Sequence, residues 1–131
     1  VDELEPAIAA MARMLPGAPL RRRSVPDAGL EVAEFHAENL IVELLRYTDR
    51  GDGFGRSVMG PAPGVNHLSL SVPDLDTALA GLRAEGIEPL PGFPRRGAHG
   101  RIAFLPRDGV TGLRFELCQP DEGAAAPEPQ S

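Results

Sequence analysis

The chain contains 131 residues, of which 42% are hydrophobic, and it carries a formal net charge of −6 at pH 7. This length suits a domain with a sizeable core, whereas the acidic balance argues against nucleic acid as a partner. Its apolar runs fall far short of the roughly 20 residues that span a bilayer, so no membrane partner is expected. One cysteine, Cys118, leaves no internal disulfide and indicates a reducing compartment, which predicts a cytoplasmic protein. All 13 basic residues are arginine, which is typical of GC-rich bacterial genomes.

The first half of the chain has the pattern of a helix followed by two strands. Apolar residues at helical spacing predict a helix over 3–14, ended by the helix-breaking "LPGAP". The segments 30–37 and 39–47 have strand patterns and lie close enough in sequence to form a hairpin. The glycine-rich "DRGDGFG" that follows is interpreted as a mobile flap, with Phe54 as its apolar contact.

The second half begins with a predicted strand, "GVNHLSLSV" (64–72). Because side chains alternate along a strand, Leu68 and Leu70 are expected to face the core, and His67 is expected to line a cleft. The segment "VPDLDTALAGLRAEG" predicts an amphipathic helix, and "GRIAFLPRDGVTGLRFELCQP" predicts two strands around a turn. Residues 121–131 have no large apolar side chain and are predicted to form a disordered tail.

The two halves repeat one another. "ELEPAIAAM" aligns with "DLDTALAGL", and "LIVELL" aligns with "LRFELC", at offsets of about 70 residues. We therefore predict an α+β fold of two tandem βαβββ modules, residues 1–62 and 63–120. The offset places the counterpart of strand 64–72 before Val1, so the first module is expected to lack its opening strand. A partner chain or a further N-terminal segment would then supply a strand beside 64–72.

Three polar residues are singled out: two glutamates in mostly apolar predicted strands, and a histidine on the polar face of the strand over 64–72. Glu43 and Glu116 occupy repeat-related positions, and His67 lies near the start of the second module. A carboxylate inside a buried strand costs several kcal/mol unless it is paired or bound to a cation. Two carboxylates and an imidazole suit Zn, Ni, Co, Mn or Fe(II), so these residues are candidate ligands of a divalent metal. The alternative is that the strands are half-exposed, with both glutamates solvated and His67 hydrogen-bonded to the backbone.

The segments "VNHLSLSVPDLDTALAGLRAEGI" and "RIAFLPRDGVTGLRFEL" resemble the second half of the vicinal oxygen chelate proteins, the glyoxalase and bleomycin-resistance superfamily. The resemblance covers nearly the whole chain to Gln119. It implies that two βαβββ modules form a cup-shaped mixed sheet around a metal. It also implies that His67 and Glu116 are ligands from the second module and Glu43 a ligand from the first, with a fourth ligand on the absent opening strand.

Within this superfamily the chain is most similar to the methylmalonyl-CoA epimerases. "PRRGAHGRIAFL" (94–105) and "VPDAGLEVAEF" (25–35) carry this likeness. The second segment aligns Asp27 with an acidic proton-transfer residue of the epimerases, although Asp27 is one carbon shorter. His99 and Arg96 are candidate substrate-binding residues, whereas the alternatives are an exposed loop histidine and a solvated arginine.

The resulting hypothesis is a metal-dependent isomerase or lyase that acts on a carbonyl compound or an acyl-CoA thioester through a metal-stabilised enolate. Glu116 or Glu43 would take the proton, and Asp27 would return it from the opposite face. Alternatives are a glyoxalase I-like lyase, a metal-free binding protein of the bleomycin-resistance kind, and an Fe(II) ring-cleaving dioxygenase. A homodimer with a small-molecule substrate is expected. The arginines at 21–23 could meet the phosphates of coenzyme A, or lie on a solvated strand end.

Overall fold

The computed structural model describes residues 1–122, which form two compact units, residues 1–64 and a second that begins at Val65. The predicted tail lies, from residue 123 onward, outside the described residues. The fold is α+β, as expected, and within these residues no helix is long and apolar enough to cross a membrane. The elements are α1 (Leu4–Met14), β1 (Leu20–Val25), a 3-10 helix (Pro26–Ala28), β2 (Leu30–His36), β3 (Ile41–Tyr47), α2 (Phe54–Met59), β4 (Leu68–Ser71), α3 (Leu75–Ala84), β5 (Arg95–Arg96), β6 (Gly100–Phe104) and β7 (Phe115–Pro120).

The first unit packs one helix against a three-stranded antiparallel sheet in the order β1-β2-β3. Apolar residues recur along α1 every three or four positions, so one face of the helix can cover the sheet. Ile8 is the buried residue of that face, and it packs with Ala33, Phe35 and Leu44. The helix ends before Gly17, whose φ of +81° a side chain would disfavour. The sheet therefore has one face occupied by α1 and another available for polar side chains.

The second unit is a four-stranded mixed sheet in the order β4-β7-β6-β5, with β4 parallel to β7. The Asp74 side chain caps α3 by accepting a hydrogen bond from the Thr77 amide at 2.9 Å. Leu75 and Leu79 of α3 are fully buried, which contributes about 1.5–3 kcal/mol each. They pack on the sheet against residues of β6, β7 and the turn after β6, namely Ala103, Leu105 and Leu117.

The lone cysteine belongs to the second sheet. Cys118 in β7 is buried and lies in register with Ser71 of β4 on one side and Ile102 of β6 on the other. Cys118 is therefore a small packed side chain of the sheet.

Several predicted elements differ from those observed. The segment interpreted as a mobile flap contains α2, which begins at Phe54. The arginine run forms a full strand, β1. The predicted strand over 64–72 is shorter, at Leu68–Ser71, and its Leu68 and Leu70 side chains are 45% and 48% exposed rather than buried. The last difference arises because β4 is an edge strand of its sheet and has a neighbour on one side only.

Candidate functional site

The face of the first sheet that lies opposite α1 carries a cluster of charged side chains. Glu34 of β2 and Glu43 of β3 are register partners, so their carboxylates lie on the same face. Arg23 of β1 donates from Nε to Glu34 Oε1 at 2.6 Å and from Nη2 to Glu43 Oε1 at 3.2 Å. One guanidinium thus bridges two carboxylates that would otherwise repel each other.

Glu34 is the buried member of this cluster. Its side chain is 3% exposed, against 27% for Arg23 and 30% for Glu43. His36 places Nε2 3.5 Å from Glu34 Oε2, and that nitrogen has no hydrogen-bond partner within the described residues. His36 therefore belongs to the charged cluster.

The environment of Glu43 is that of the alternative interpretation, a half-exposed strand. A strand buried on both faces is not observed at this position, because β3 is an edge strand of the described sheet and Glu43 is partly exposed. The buried carboxylate is Glu34, which the sequence interpretation did not single out. A signal was available, since Leu30, Val32 and Glu34 alternate along one face of a predicted strand. That face was not paired with the arginine run, whose strand was not predicted.

In the second unit, two of the predicted ligands lie on neighbouring strands of one sheet. Glu116 of β7 is the register partner of Ser69 in β4, and the Ser69 hydroxyl donates to Glu116 Oε1 at 2.7 Å. His67 immediately precedes β4, and its ring stacks edge-on against Phe104, with centroids 4.7 Å apart. Phe104 is in turn the register partner of Glu116 on β6. The structure therefore brings His67 and Glu116 to the same part of the second sheet.

The protonation state of His67 suits a metal ligand. Burial, and secondarily the positive charge of Arg114, lower the pKa of His67 to about 4, so the ring is neutral near pH 7. The Asn66 amide oxygen lies 2.9 Å from Nδ1, and because a carbonyl oxygen can only accept, Nδ1 carries the proton. Nε2 then keeps its lone pair. A neutral imidazole held through its other nitrogen, beside a carboxylate, is a donor set that fits a divalent cation.

Asp27, the predicted proton-transfer residue, lies in the 3-10 helix between β1 and β2 and is exposed. His99 and Arg96, the predicted substrate-binding residues, belong to the second unit and are also exposed. Arg96 forms a bidentate ion pair with Asp121, so its guanidinium already has a carboxylate partner.

The arginines of β1 make contacts that argue against a phosphate-binding patch. Arg22 pairs with Glu5 of α1, and Arg23 pairs with Glu34 and Glu43. A groove of about 580 Å³ lies beside the start of α1, and its charged lining residues are Asp2, Glu3, Glu5, Glu31, Arg22, Arg23 and Arg46. With four carboxylates and three guanidiniums, this lining does not favour binding of a polyanion.

Comparison with known proteins supports the expected family. The sequence pattern of the glyoxalase/bleomycin resistance protein/dioxygenase superfamily matches residues 1–104. The mitochondrial methylmalonyl-CoA epimerase of Dictyostelium discoideum is 32% identical over 82 residues, which is 61% of this chain and 49% of that protein.

Solved epimerases share the fold. The methylmalonyl-CoA epimerase of Mycobacterium tuberculosis superposes with a TM-score of 0.75 at 26% identity, over 95% of this chain and 87% of that one. A variant of the Streptomyces coelicolor enzyme, in complex with 2-nitronate-propionyl-CoA, gives a TM-score of 0.71 at 26% identity, over 91% of this chain and 90% of that one. Together with the repeated helix-and-strand order and the His67–Glu116 pair, these matches show that the chain belongs to the glyoxalase/bleomycin resistance protein/dioxygenase superfamily.

Proposed function

We propose that this protein is a metal-dependent isomerase of the epimerase type, which acts on an acyl-CoA thioester or a related carbonyl compound. The observation that carries the proposal is the pairing of a neutral His67 with the Glu116 carboxylate on the second sheet. Similarity to epimerases, one of them in complex with an acyl-CoA analogue, supports the substrate class. The alternative of a dioxygenase is less favoured, since it would require a second histidine ligand where this chain has Glu43.

The metal would be a divalent cation such as Zn, Ni, Co, Mn or Fe. We assign His67 and Glu116 as ligands from the second module and Glu43 as the ligand from the first. Nε2 of His67 is the available imidazole nitrogen, because Nδ1 is held by Asn66. The cation, when bound, supplies positive charge that stabilises a developing enolate oxygen.

The proton chemistry needs one carboxylate on each face of the substrate. Glu116, or Glu43 in its place, accepts the α-proton. As the C–H bond breaks, the electron pair of that bond moves into the enolate. Protonated Asp27 then donates its proton to the opposite face of the same carbon, which inverts the centre. Each turnover leaves one carboxyl protonated and the other ionised, so proton exchange with water must restore the starting state. His99 and Arg96 are assigned to substrate binding, and a homodimer stays a prediction.

The decisive experiment measures metal content and proton exchange on the same preparations. We expect a divalent metal close to one per chain in the unmodified protein and its loss in His67→Ala and Glu43→Ala, with Glu38→Ala, an exposed carboxylate in the turn between β2 and β3, as the control that retains it. In D2O, the unmodified protein should exchange the α-proton of methylmalonyl-CoA and invert its centre. A protein that holds no metal after reconstitution with each candidate cation, and that exchanges no proton, would refute the proposal.

A metal-free binding protein of the same fold is the second candidate. It is favoured by one observation: Arg23 donates to Glu43, so this carboxylate already has a cationic partner. The measurement that separates the two candidates is ligand binding by the chelated protein. Tight binding of an acyl-CoA or another small molecule without turnover would select the binding protein. Turnover of a 2-oxoaldehyde hemithioacetal, rather than epimerisation, would select the glyoxalase I-like lyase.

A further inference from the structure

The turn that carries Asp27 is closed by backbone hydrogen bonds on both sides. Within the turn, the Gly29 amide donates to the Pro26 carbonyl at 3.0 Å, and Gly29 adopts a left-handed φ of +69°. From the segment after β3, the Thr48 amide donates to the Gly29 carbonyl at 2.9 Å. The position of Asp27 is therefore tied to the chain around residue 48.

Asp49 fills the space between this turn and the start of α2. Its Oδ2 accepts hydrogen bonds from the amides of Gly51 at 2.6 Å and Gly53 at 3.0 Å, and from Arg56 Nε at 3.1 Å. The side chain is 7% exposed, and a Cβ at Gly29 would lie only 3.1 Å from the Asp49 Cβ. These bonds, led by the one from Gly53, lower the pKa of Asp49 to about 2, so the carboxylate stays charged at neutral pH.

Gly55 makes the closest approach between α2 and the turn. It is buried, and a Cβ built at this position would lie 2.6 Å from the carbonyl oxygen of Ala28, the residue next to Asp27. Because that oxygen is part of the backbone, a side chain at position 55 would have to move the turn itself. At the far end of the segment, the Tyr47 hydroxyl donates to the Gly60 carbonyl at 2.5 Å.

We propose that Asp49 and Gly55 are positioning residues for Asp27. Residues 48–60 then form a platform that fixes the position of the 26–29 turn. The inference rests on the proposed function, in which Asp27 transfers a proton to one face of the substrate. Proton transfer requires donor and acceptor within hydrogen-bond reach, and a misplacement of about 1 Å can lower a rate 10²-fold. An exposed Asp27 on a short turn has few contacts of its own to provide such precision.

The test uses Gly55→Ala, with Gly81→Ala as its control. Gly81 lies in α3, and an added Cβ there meets nothing within 4 Å. Each epimer of methylmalonyl-CoA is supplied separately in D2O, and α-proton exchange and inversion are followed for both. With Gly55→Ala we expect inversion about tenfold slower than in the unmodified protein. For the epimer whose proton goes to Glu116, the rate of exchange without inversion should stay within twofold of the unmodified rate. Gly81→Ala should match the unmodified protein, and Asp27→Asn should show the Gly55→Ala pattern more strongly, at about 10²–10⁴-fold.

Folding is checked independently by far-UV circular dichroism, because Tyr47, the single tyrosine, itself contacts the platform through Gly60. If Gly55→Ala loses its secondary structure, Asp49→Asn replaces it with the same expected asymmetry between epimers. Equal slowing of exchange for both epimers, or no slowing for either, would overturn the inference. If Gly55→Ala inverts the substrate at the unmodified rate while Asp27→Asn is slow, the platform is refuted but the role of Asp27 is not. An unmodified protein without exchange would refute the proposed function, and the inference with it.

Discussion

The two units place a glutamate at the same position of their last long strand and surround it differently. Glu43 faces Glu34 across the first sheet, and Arg23 bridges the two carboxylates. Glu116 faces Phe104 across the second sheet and accepts a hydrogen bond from Ser69. One repeated residue is thus part of an ion-paired cluster in the first unit and lies beside an aromatic ring in the second.

This difference shows that a repeated backbone does not impose a repeated chemistry. In the first unit, the charge of Glu43 is balanced within the protein by a guanidinium. In the second unit, Glu116 accepts a hydrogen bond from a hydroxyl, and its register partner Phe104 contacts the neutral imidazole of His67. A divalent cation bound at Glu43 would have to share that carboxylate with Arg23, whereas His67 and Glu116 offer a donor set that fits a metal directly.

The largest expected effect comes from breaking the ion pair of the first unit. Arg23→Met should lower the free energy of unfolding by about 3–5 kcal/mol, because it leaves the buried Glu34 carboxylate without its cation. Urea denaturation measures the change. Arg22→Met is the matched control, since Arg22 is the adjacent residue and pairs with Glu5 in solvent. We expect little change there, and equal losses in both variants would contradict the assignment.

A second substitution should restore most of that stability. Arg23→Met combined with Glu34→Leu replaces the buried ion pair by apolar groups and makes the position opposite Glu43 resemble Phe104 of the second unit. Exchanges of this kind are often neutral or stabilising, so we expect the double variant to unfold within about 1–2 kcal/mol of the unmodified protein. A double variant as unstable as Arg23→Met would show that the cluster does more than neutralise Glu34.

A smaller effect is expected from Ser69→Ala in the second unit. Loss of the hydroxyl that donates to Glu116 should weaken divalent metal binding about tenfold, because groups that orient a ligand typically contribute 10–100-fold. Calorimetric titration with Zn²⁺ measures the affinity. Ser71→Ala is the control, since Ser71 lies in the same strand and is the register partner of Cys118 rather than of Glu116. Unchanged affinity in Ser69→Ala would remove this contrast between the two glutamates.

The smallest effect concerns acid stability of the first unit. The pKa of Asp49, lowered to about 2 chiefly by the Gly53 amide, means that Asp49 stabilises the fold above its ordinary pKa near 3.9 and loses this contribution as the pH falls toward 2. The stability difference between the unmodified protein and Asp49→Asn should therefore be constant above pH 5 and shrink below pH 4. Chemical denaturation monitored through Tyr47 checks this, and a difference that grows on acidification would contradict it.

The sequence predicted the parts of the fold that repeat. Both long helices and the β2–β3 and β6–β7 pairs follow from hydrophobic periodicity, which the buried residues Ile8, Leu75 and Leu79 confirm. Strand β1 was missed because three consecutive arginines carry no alternation, and they form a strand only since the neighbouring strands and α1 supply carboxylates. The burial of Glu34 was missed for the same reason, because its partner lay on the strand that was not predicted.

The chemistry of the candidate site stays a prediction, and the sequence indicated only part of its surroundings. That Glu116 and His67 would be near each other follows from the parallel pairing of first and last strands in a βαβββ unit. The neutral state of His67 depends on its burial and secondarily on the charge of Arg114, and Glu43 is paired with the Arg23 guanidinium. These are tertiary effects, which no local sequence pattern encodes. Helix α2 is six residues long and contains a glycine, so its propensity alone could not indicate it.

The buried thiol of Cys118 provides a reactivity probe of local unfolding in the second unit. A thiol-specific reagent modifies it when local opening exposes the buried side chain, so the labelling rate reports how often the surroundings of Cys118 open. The only tyrosine, Tyr47, lies in the first unit and reports there optically. Local unfolding of the two halves can thus be followed in the unmodified chain, one by its reactivity and the other by its spectrum, without introducing any label.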